Sequence, residues 1–290
     1  MRADASTHRP GRCPRHRARR GASCLRGPAD GGALGGTPEV RHRDRRGRTA
    51  ARRWRGAGPF SRARPGRSAE RQFRLSRGVG LPGAGPGLER VNLTVAAGEI
   101  VAVRGSNGSG KSTLLQHLNG LYRADAGSVS VGGSPILHQP TGTLAGVVGY
   151  LFQDTDQQLF ERTVLREVSY GPMAAGLRRE DAARRASAAL DGLGLGALAD
   201  AHPYELGFVQ RRLVALASIM ATGPDVWALD EPTAGLDEAT RTLFARLVTE
   251  HARAGGTVVM ATHDAAFADA VSHRIVWLDA GRIRGSGQEG

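Results

Sequence analysis

The sequence predicts an α/β fold, a largely parallel sheet with both faces covered by helices. Short apolar, β-rich runs alternate with helical segments from residue 91 onward, and the inner runs are too apolar to have a solvated face. A glycine-rich loop stands between one of these runs and a helix, and strand, loop, helix is the order a phosphate site needs.

The first segment is excluded from that fold by its composition. Through residue 90 the chain holds 23 Arg against 6 acidic residues, and beyond it 17 basic against 21 acidic, so the net charge of +13 belongs to the first third. A basic balance spread along the whole chain would suggest nucleic acid or an anionic membrane as partner. Confined to one segment it does not, and no nucleic-acid partner is expected. Residues 1–71 are rich in Arg, Gly, Pro and Ala, lack apolar periodicity and carry Pro10, Pro14, Pro28, Pro38, Pro59 and Pro65. Such a stretch buries too little apolar surface to offset ordering costs of about 1–2 kcal/mol per residue, and a disordered arm is expected, followed by a folded domain at 72–290. Three origins compete for the arm: a basic tail, a targeting segment, or sequence not translated in the cell. The Arg-Gly-Pro-Ala bias, similar to GC-rich DNA read out of frame, favours the last. A secretory leader needs an apolar run of about 7–15 residues near its start, and none stands there. Cys13 and Cys24 both lie in the arm, which leaves the folded region without a disulfide framework and fits a reducing cytoplasm. No run approaches the ~18 apolar residues of a membrane span, so a membrane role is expected to be peripheral.

The folded elements follow in order. Residues 91–95 alternate apolar and polar, a half-buried strand, and Ile100 to Val103 form a short strand buried on both faces. Ser112 to Asn119 turn helical, with Leu114, Leu115 and Leu118 on one side and Gly120 at the end. Strands are expected at 128–131 and 146–152, helices at 181–190 and 210–221, the second ended by Gly223-Pro224. Two inner strands, 226–229 and 257–260, are bridged by a helix at 238–253.

Chemistry concentrates at strand ends. The run from Gly105 to Ser112 fits G-x-x-x-x-G-K-[ST], with the required strand before it and helix after it. Its glycines let backbone N–H groups turn inward around phosphates, and the helix start adds a positive dipole end. The expected nucleotide contacts are Gly105, Ser106, Asn107, Gly108, Ser109, Gly110, Lys111, Ser112 and Thr113. Lys111, the one lysine in a chain of 39 arginines, is expected to reach the β- and γ-phosphates of ATP, and Ser112 to place its hydroxyl on Mg²⁺. Asp230-Glu231 closes an apolar strand and so puts two carboxylates at the sheet edge where α/β sheets bind ligands. Asp230 is expected to hold the Mg²⁺ shell, and Glu231 to act as general base toward the attacking water. Gln153 follows the strand that ends at Phe152, Leu236-Asp237 follows the acidic pair, and His263 ends another apolar strand.

In that order, residues 91 to about 285 resemble an ATP-binding-cassette (ABC) ATPase. The resemblance implies that Gln153, Asp237 and His263 are the glutamine, aspartate and histidine of its Q-, D- and H-loops. Gln153 would then be a catalytic and metal-binding residue, His263 catalytic, and Asp237 a nucleotide contact. It also implies a β/α core with a helical lobe at about 155–222. Phe152 to Phe160, Val168 to Pro172 and Leu118 to Leu121 are similar to the energy-coupling-factor ATPases, the group that includes cobalt and vitamin uptake systems. That similarity implies an ATP-hydrolysing subunit of a metal-ion or vitamin importer, peripheral on the cytoplasmic face of a bacterial membrane. A transmembrane coupling protein would dock near Gln153 to Pro172, beside a separate substrate-binding membrane protein. A soluble ABC ATPase acting on DNA or ribosomes is the alternative, as is a subunit whose hydrolysis is largely lost.

Two departures stand out. The family signature Leu-Ser-Gly-Gly-Gln aligns with Leu206-Gly207-Phe208-Val209-Gln210, which lacks the serine hydroxyl and both glycines. In the family this loop caps the γ-phosphate held by a partner subunit. The missing hydroxyl removes a charge-assisted hydrogen bond of about 1.5–3 kcal/mol, roughly one to two decades in rate. A heterodimer with a second ABC ATPase of ordinary signature is therefore expected over a homodimer, the alternative being a tolerated variant in which helix-start amides suffice. Leu81 stands where the family places an aromatic against adenine, which costs about 0.5–1.5 kcal/mol of stacking.

Overall fold

Continuous apolar runs along the inner strands decide the architecture. The computed structural model describes residues 71–78, 87–131, 133–136 and 139–287, all inside one compact unit, Trp54–Gly290. The expected arm lies outside the described residues except for Arg71, as does the stretch around Leu81. In chain order the first half contains β1 (Arg71–Gly78), β2 (Glu89–Val95), β3 (Ile100–Arg104), α1 (Lys111–Leu118), β4 (Ala124–Val131), β5 (Ser134–Pro135), α2 (Thr141–Leu144) and β6 (Val148–Leu151). The second contains α3 (Val164–Ala174), α4 (Arg179–Gly192), α5 (Phe208–Thr222), β7 (Val226–Asp230), α6 (Glu238–Arg253), β8 (Thr257–Ala261), α7 (Ala265–Val271), β9 (Arg274–Asp279) and β10 (Arg282–Gly287).

Six strands form one sheet in the order β10-β9-β3-β8-β7-β6, parallel from β9 to β6 with β10 antiparallel at the edge. Each inner strand sends alternate residues to opposite cores. Ile100, Ala102, Trp227, Leu229, Val258 and Met260 join the core made with α5, α6 and α7. Val101, Val103, Val226, Ala228, Val259 and Ala261 join the core made with α1, β2 and β4. Both faces are covered, as the apolar runs predict, and every residue of β7 and β8 is buried. The second core is closed by an antiparallel sheet of order β2-β1-β4-β5. In β2, Val91, Leu93 and Val95 are buried and Asn92 and Thr94 exposed, the alternation read from the sequence.

Between β6 and β7 every described element is helical: three short 3-10 turns and α3, α4 and α5. α3 was not foreseen. Thr163 caps it, its side chain accepting the Arg166 N–H, and Gly171-Pro172 sits near its end rather than breaking it. A Cβ on Gly171 would lie 2.1 Å from Thr222 Oγ1, so glycine is what lets α3 cross α5 closely. No helix among the described residues is long and apolar enough to cross a membrane.

Candidate nucleotide site

The glycine loop leaves β3 at the carboxyl edge of the sheet. A Cβ on Gly105 would lie 2.0 Å from the Leu278 carbonyl oxygen, so the loop passes β9 only with glycine there. Gly110 precedes α1 with φ 102°, a left-handed conformation that favours glycine. Ser106, Asn107 and Gly108 form the exposed tip, while Lys111 is only 9% exposed. Its Nζ donates to the carbonyls of Gly105 and Ser106, both at 3.0 Å, which holds the ammonium inside the loop at the start of α1. Thr113 continues the helix, its carbonyl 2.7 Å from His117 Nδ1.

Ser112, on the first turn of α1, and Asp230, at the end of β7, line the same cleft. Burial pushes the Asp230 carboxyl up from its ordinary range, Glu231 adds to this, and the bonds from Ser112 and Tyr150 and the charge of Lys111 pull it back. Tyr150 OH donates to Asp230 Oδ2 at 3.3 Å, and burial followed by the Asp230 charge raises the phenol in turn. A cleft of about 440 Å³ opens between Ser112, Gln153, Asp230 and Phe208. Hydroxyl, carboxylate and amide oxygens are hard donors with one formal charge, a set that fits Mg²⁺, which binds through one or two carboxylates plus phosphate oxygens and water. No cluster of three or more His, Cys, Asp or Glu suited to a metal stands among the described residues.

Glu231 takes φ 47°, a conformation that non-glycine residues adopt at a cost of about 1–3 kcal/mol. Its Oε2 meets His263 Nδ1 at 2.8 Å and accepts the His263 backbone N–H at 3.2 Å. His263 is thus in contact with the carboxylate beside it in the sheet, where β7 and β8 are neighbours. Its ring is 70% exposed and Glu231 10%, so the histidine stands between the carboxylate and solvent. Asp237 caps α6, its Oδ1 accepting the Thr240 N–H at 2.8 Å. Hydrogen bonding from the Thr240 side chain, and then from its backbone N–H, holds its carboxyl below the usual range.

Arg212 and Tyr150 escaped the sequence reading. Arg212 is 0% exposed, and its guanidinium donates to the carbonyls of Gln153 (2.9 Å), Pro232 (3.1 Å), Asp230 (3.2 Å) and Glu231. One arginine among 39 carries no spacing signal, and its partners converge only when α5 lies across the end of β7. The signature stretch opens α5. Gly207 precedes the helix with its N–H on Gln210 Oε1 at 3.1 Å. Phe208 lays its ring against Gly235, within 2.9 Å of where a Cβ would stand, and walls the cleft below Ser112.

A P-loop, two carboxylates at a strand end, and a histidine on the second of them are suited to a nucleoside triphosphate. Residues 88–234 match the family described as ABC transporter. The energy-coupling factor transporter ATP-binding protein EcfA2 of Bacillus subtilis is 41% identical over 203 residues, covering 68% of this chain and 74% of that protein. Across eight such curated relatives the chain spans 52% to 77% of their length. Among solved structures, cbiO1 from Clostridium perfringens, part of the transporter complex cbiONQ, superposes with a TM-score of 0.65 at 30% identity, covering 76% of this chain and 88% of that one. The dimeric cassette MJ0796 bound to ADP and Pi gives 0.68 at 25% identity, covering 76% and 98%. The chain therefore belongs to the ABC transporter family and is most similar there to the ATP-binding proteins of energy-coupling-factor systems.

Proposed function

We propose that the chain is the ATP-binding and ATP-hydrolysing subunit of an energy-coupling-factor-type importer of a metal ion or vitamin. The contact between Glu231 and His263, at the sheet edge that also carries Asp230 and faces the Lys111 loop, carries this proposal. Lys111 and the loop amides bind the β- and γ-phosphates. Ser112, Asp230 and Gln153 would hold Mg²⁺, which supplies charge neutralisation to the phosphoryl oxygens. Glu231 accepts a hydrogen bond from the attacking water and takes its proton, and His263 holds that carboxylate in place from the solvent side.

Assembly follows from exposed chemistry. Phe160 is 61% exposed and Tyr170 47%, and the two rings pack edge to face with centroids 4.8 Å apart on the helical lobe beyond Gln153. Exposed aromatics on that lobe suit docking of a transmembrane coupling protein, which supports a peripheral position on the cytoplasmic face of the membrane. A separate membrane protein binds the solute. The signature stretch, with Phe208 turned onto its own chain's Gly235, supports pairing with a second ABC ATPase of ordinary signature.

The test is Glu231→Gln in the assembled complex. ATP affinity stays within about threefold while turnover falls at least ~100-fold, the typical worth of a general base. Undiminished turnover by this variant removes Glu231 from the mechanism and with it the assignment of the site.

A further inference from the structure

A guanidinium withdrawn wholly from water is costly, and burial pulls Arg212 below its ordinary range against the attraction of Asp230 and Glu231. For packing alone, an apolar side chain of similar volume would serve without that cost. The described bonds of Arg212 all go to carbonyls, and their placement is specific. Three of those carbonyls belong to consecutive residues, Asp230, Glu231 and Pro232, and the fourth to Gln153. The middle residue is the one whose backbone lies in the left-handed region. Such a conformation persists only where its surroundings over-determine it.

Holding the peptide oxygens before and after Glu231 fixes both peptide planes that flank its Cα, and so fixes the direction of its Cβ. The opposite side is held by the bond from the Glu231 N–H to Ala261 O at 2.8 Å. The carboxylate is then presented to His263 Nδ1 at 2.8 Å. Arg212 itself rides on α5, the helix that opens with the signature stretch and packs against α3 and α4 in the helical lobe. We propose that Arg212 is a positioning residue for ATP hydrolysis: it fixes the backbone of Glu231 and ties it, through Gln153, to the orientation of the helical lobe. This rests on Glu231 acting as the base. A planar fork suits a set of carbonyls spread over two segments, and the compact ammonium of lysine does not.

The experiment uses the full chain in its reconstituted complex, with Arg212→Lys and Arg212→Gln. Equilibrium ATP affinity, single-turnover hydrolysis and thermal unfolding are measured for each. The expected result is ATP affinity within about threefold of wild type, with hydrolysis slowed about 10-fold by lysine and about 100-fold by glutamine. Because Arg212 acts through Glu231, Arg212→Lys in a Glu231→Gln background slows the residual rate by less than about threefold. A parallel fall in affinity and rate, a collapse of the unfolding midpoint for Arg212→Lys, or a loss of equal size in the Glu231→Gln background overturns the proposal. Wild-type turnover by Glu231→Gln alone overturns the base assignment instead, and is read independently of Arg212.

Discussion

At Asp230, function and stability pull in opposite directions. The carboxylate sits 4% exposed at the end of β7, where burial raises its pKa despite the bonds from Ser112 and Tyr150. A carboxyl raised by folding means the native state binds more protons than the unfolded chain, so its contribution is undiminished below the unfolded pKa and is lost as pH rises through the folded one. Asparagine has no charge to bury. In nucleotide-free protein, Asp230→Asn is therefore expected to raise the unfolding midpoint at pH 8 by a few degrees, about 1–2 kcal/mol, with the gain fading toward about pH 4. A midpoint lowered at every pH contradicts this. Lys111, Ser112, Asp230 and Glu231 were legible because a fixed spacing and a strand end mark them. Tyr150 and Arg212 were not, because their partners lie 80 residues and 18 to 59 residues away in sequence and meet them only through the order of strands and the crossing of α5.

Among elements, α5 carries the sharpest departure from its family. A Cβ on Gly207 would meet only Gln210 Oε1 at 3.8 Å, so the local packing has room for the serine that the family carries. Phe208 is half exposed, its ring held by Gly235 rather than by a core. Restoring the family pattern with Gly207→Ser, Phe208→Gly and Val209→Gly together is expected to raise the ATP turnover of the chain on its own by about 10- to 100-fold, from the recovered hydrogen bond. An unchanged rate argues that the helix-start amides already suffice. Strong periodicity made α6 legible to its ends, and the inner strands to within a residue. β1 and β10 gave no such signal. The pairing that makes β1 a strand, between β2 and β4, is a tertiary event that an Arg-rich run does not announce. α3 carries Gly171-Pro172, and the close crossing with α5 gives that glycine its reason.

In the molecule as a whole, one six-stranded sheet separates two cores and brings every chemical group to its carboxyl edge. The P-loop leaves β3, the acidic pair ends β7 and the histidine follows β8, which are adjacent strands in the order β3-β8-β7. The helical lobe is joined to that edge by the Arg212 clamp and the glutamine strand β6, so nucleotide chemistry and lobe orientation share residues. In the proposed function, triphosphate binding depends on Lys111, whose ammonium is held inside the loop by the carbonyls of Gly105 and Ser106. The most direct measurement is equilibrium ATP binding and steady-state hydrolysis by the full chain in its complex, wild type against Lys111→Ala. Affinity weakened at least ~100-fold, with turnover from this chain's site lost, is the expected result. Undiminished ATP affinity and turnover in the alanine variant would contradict it.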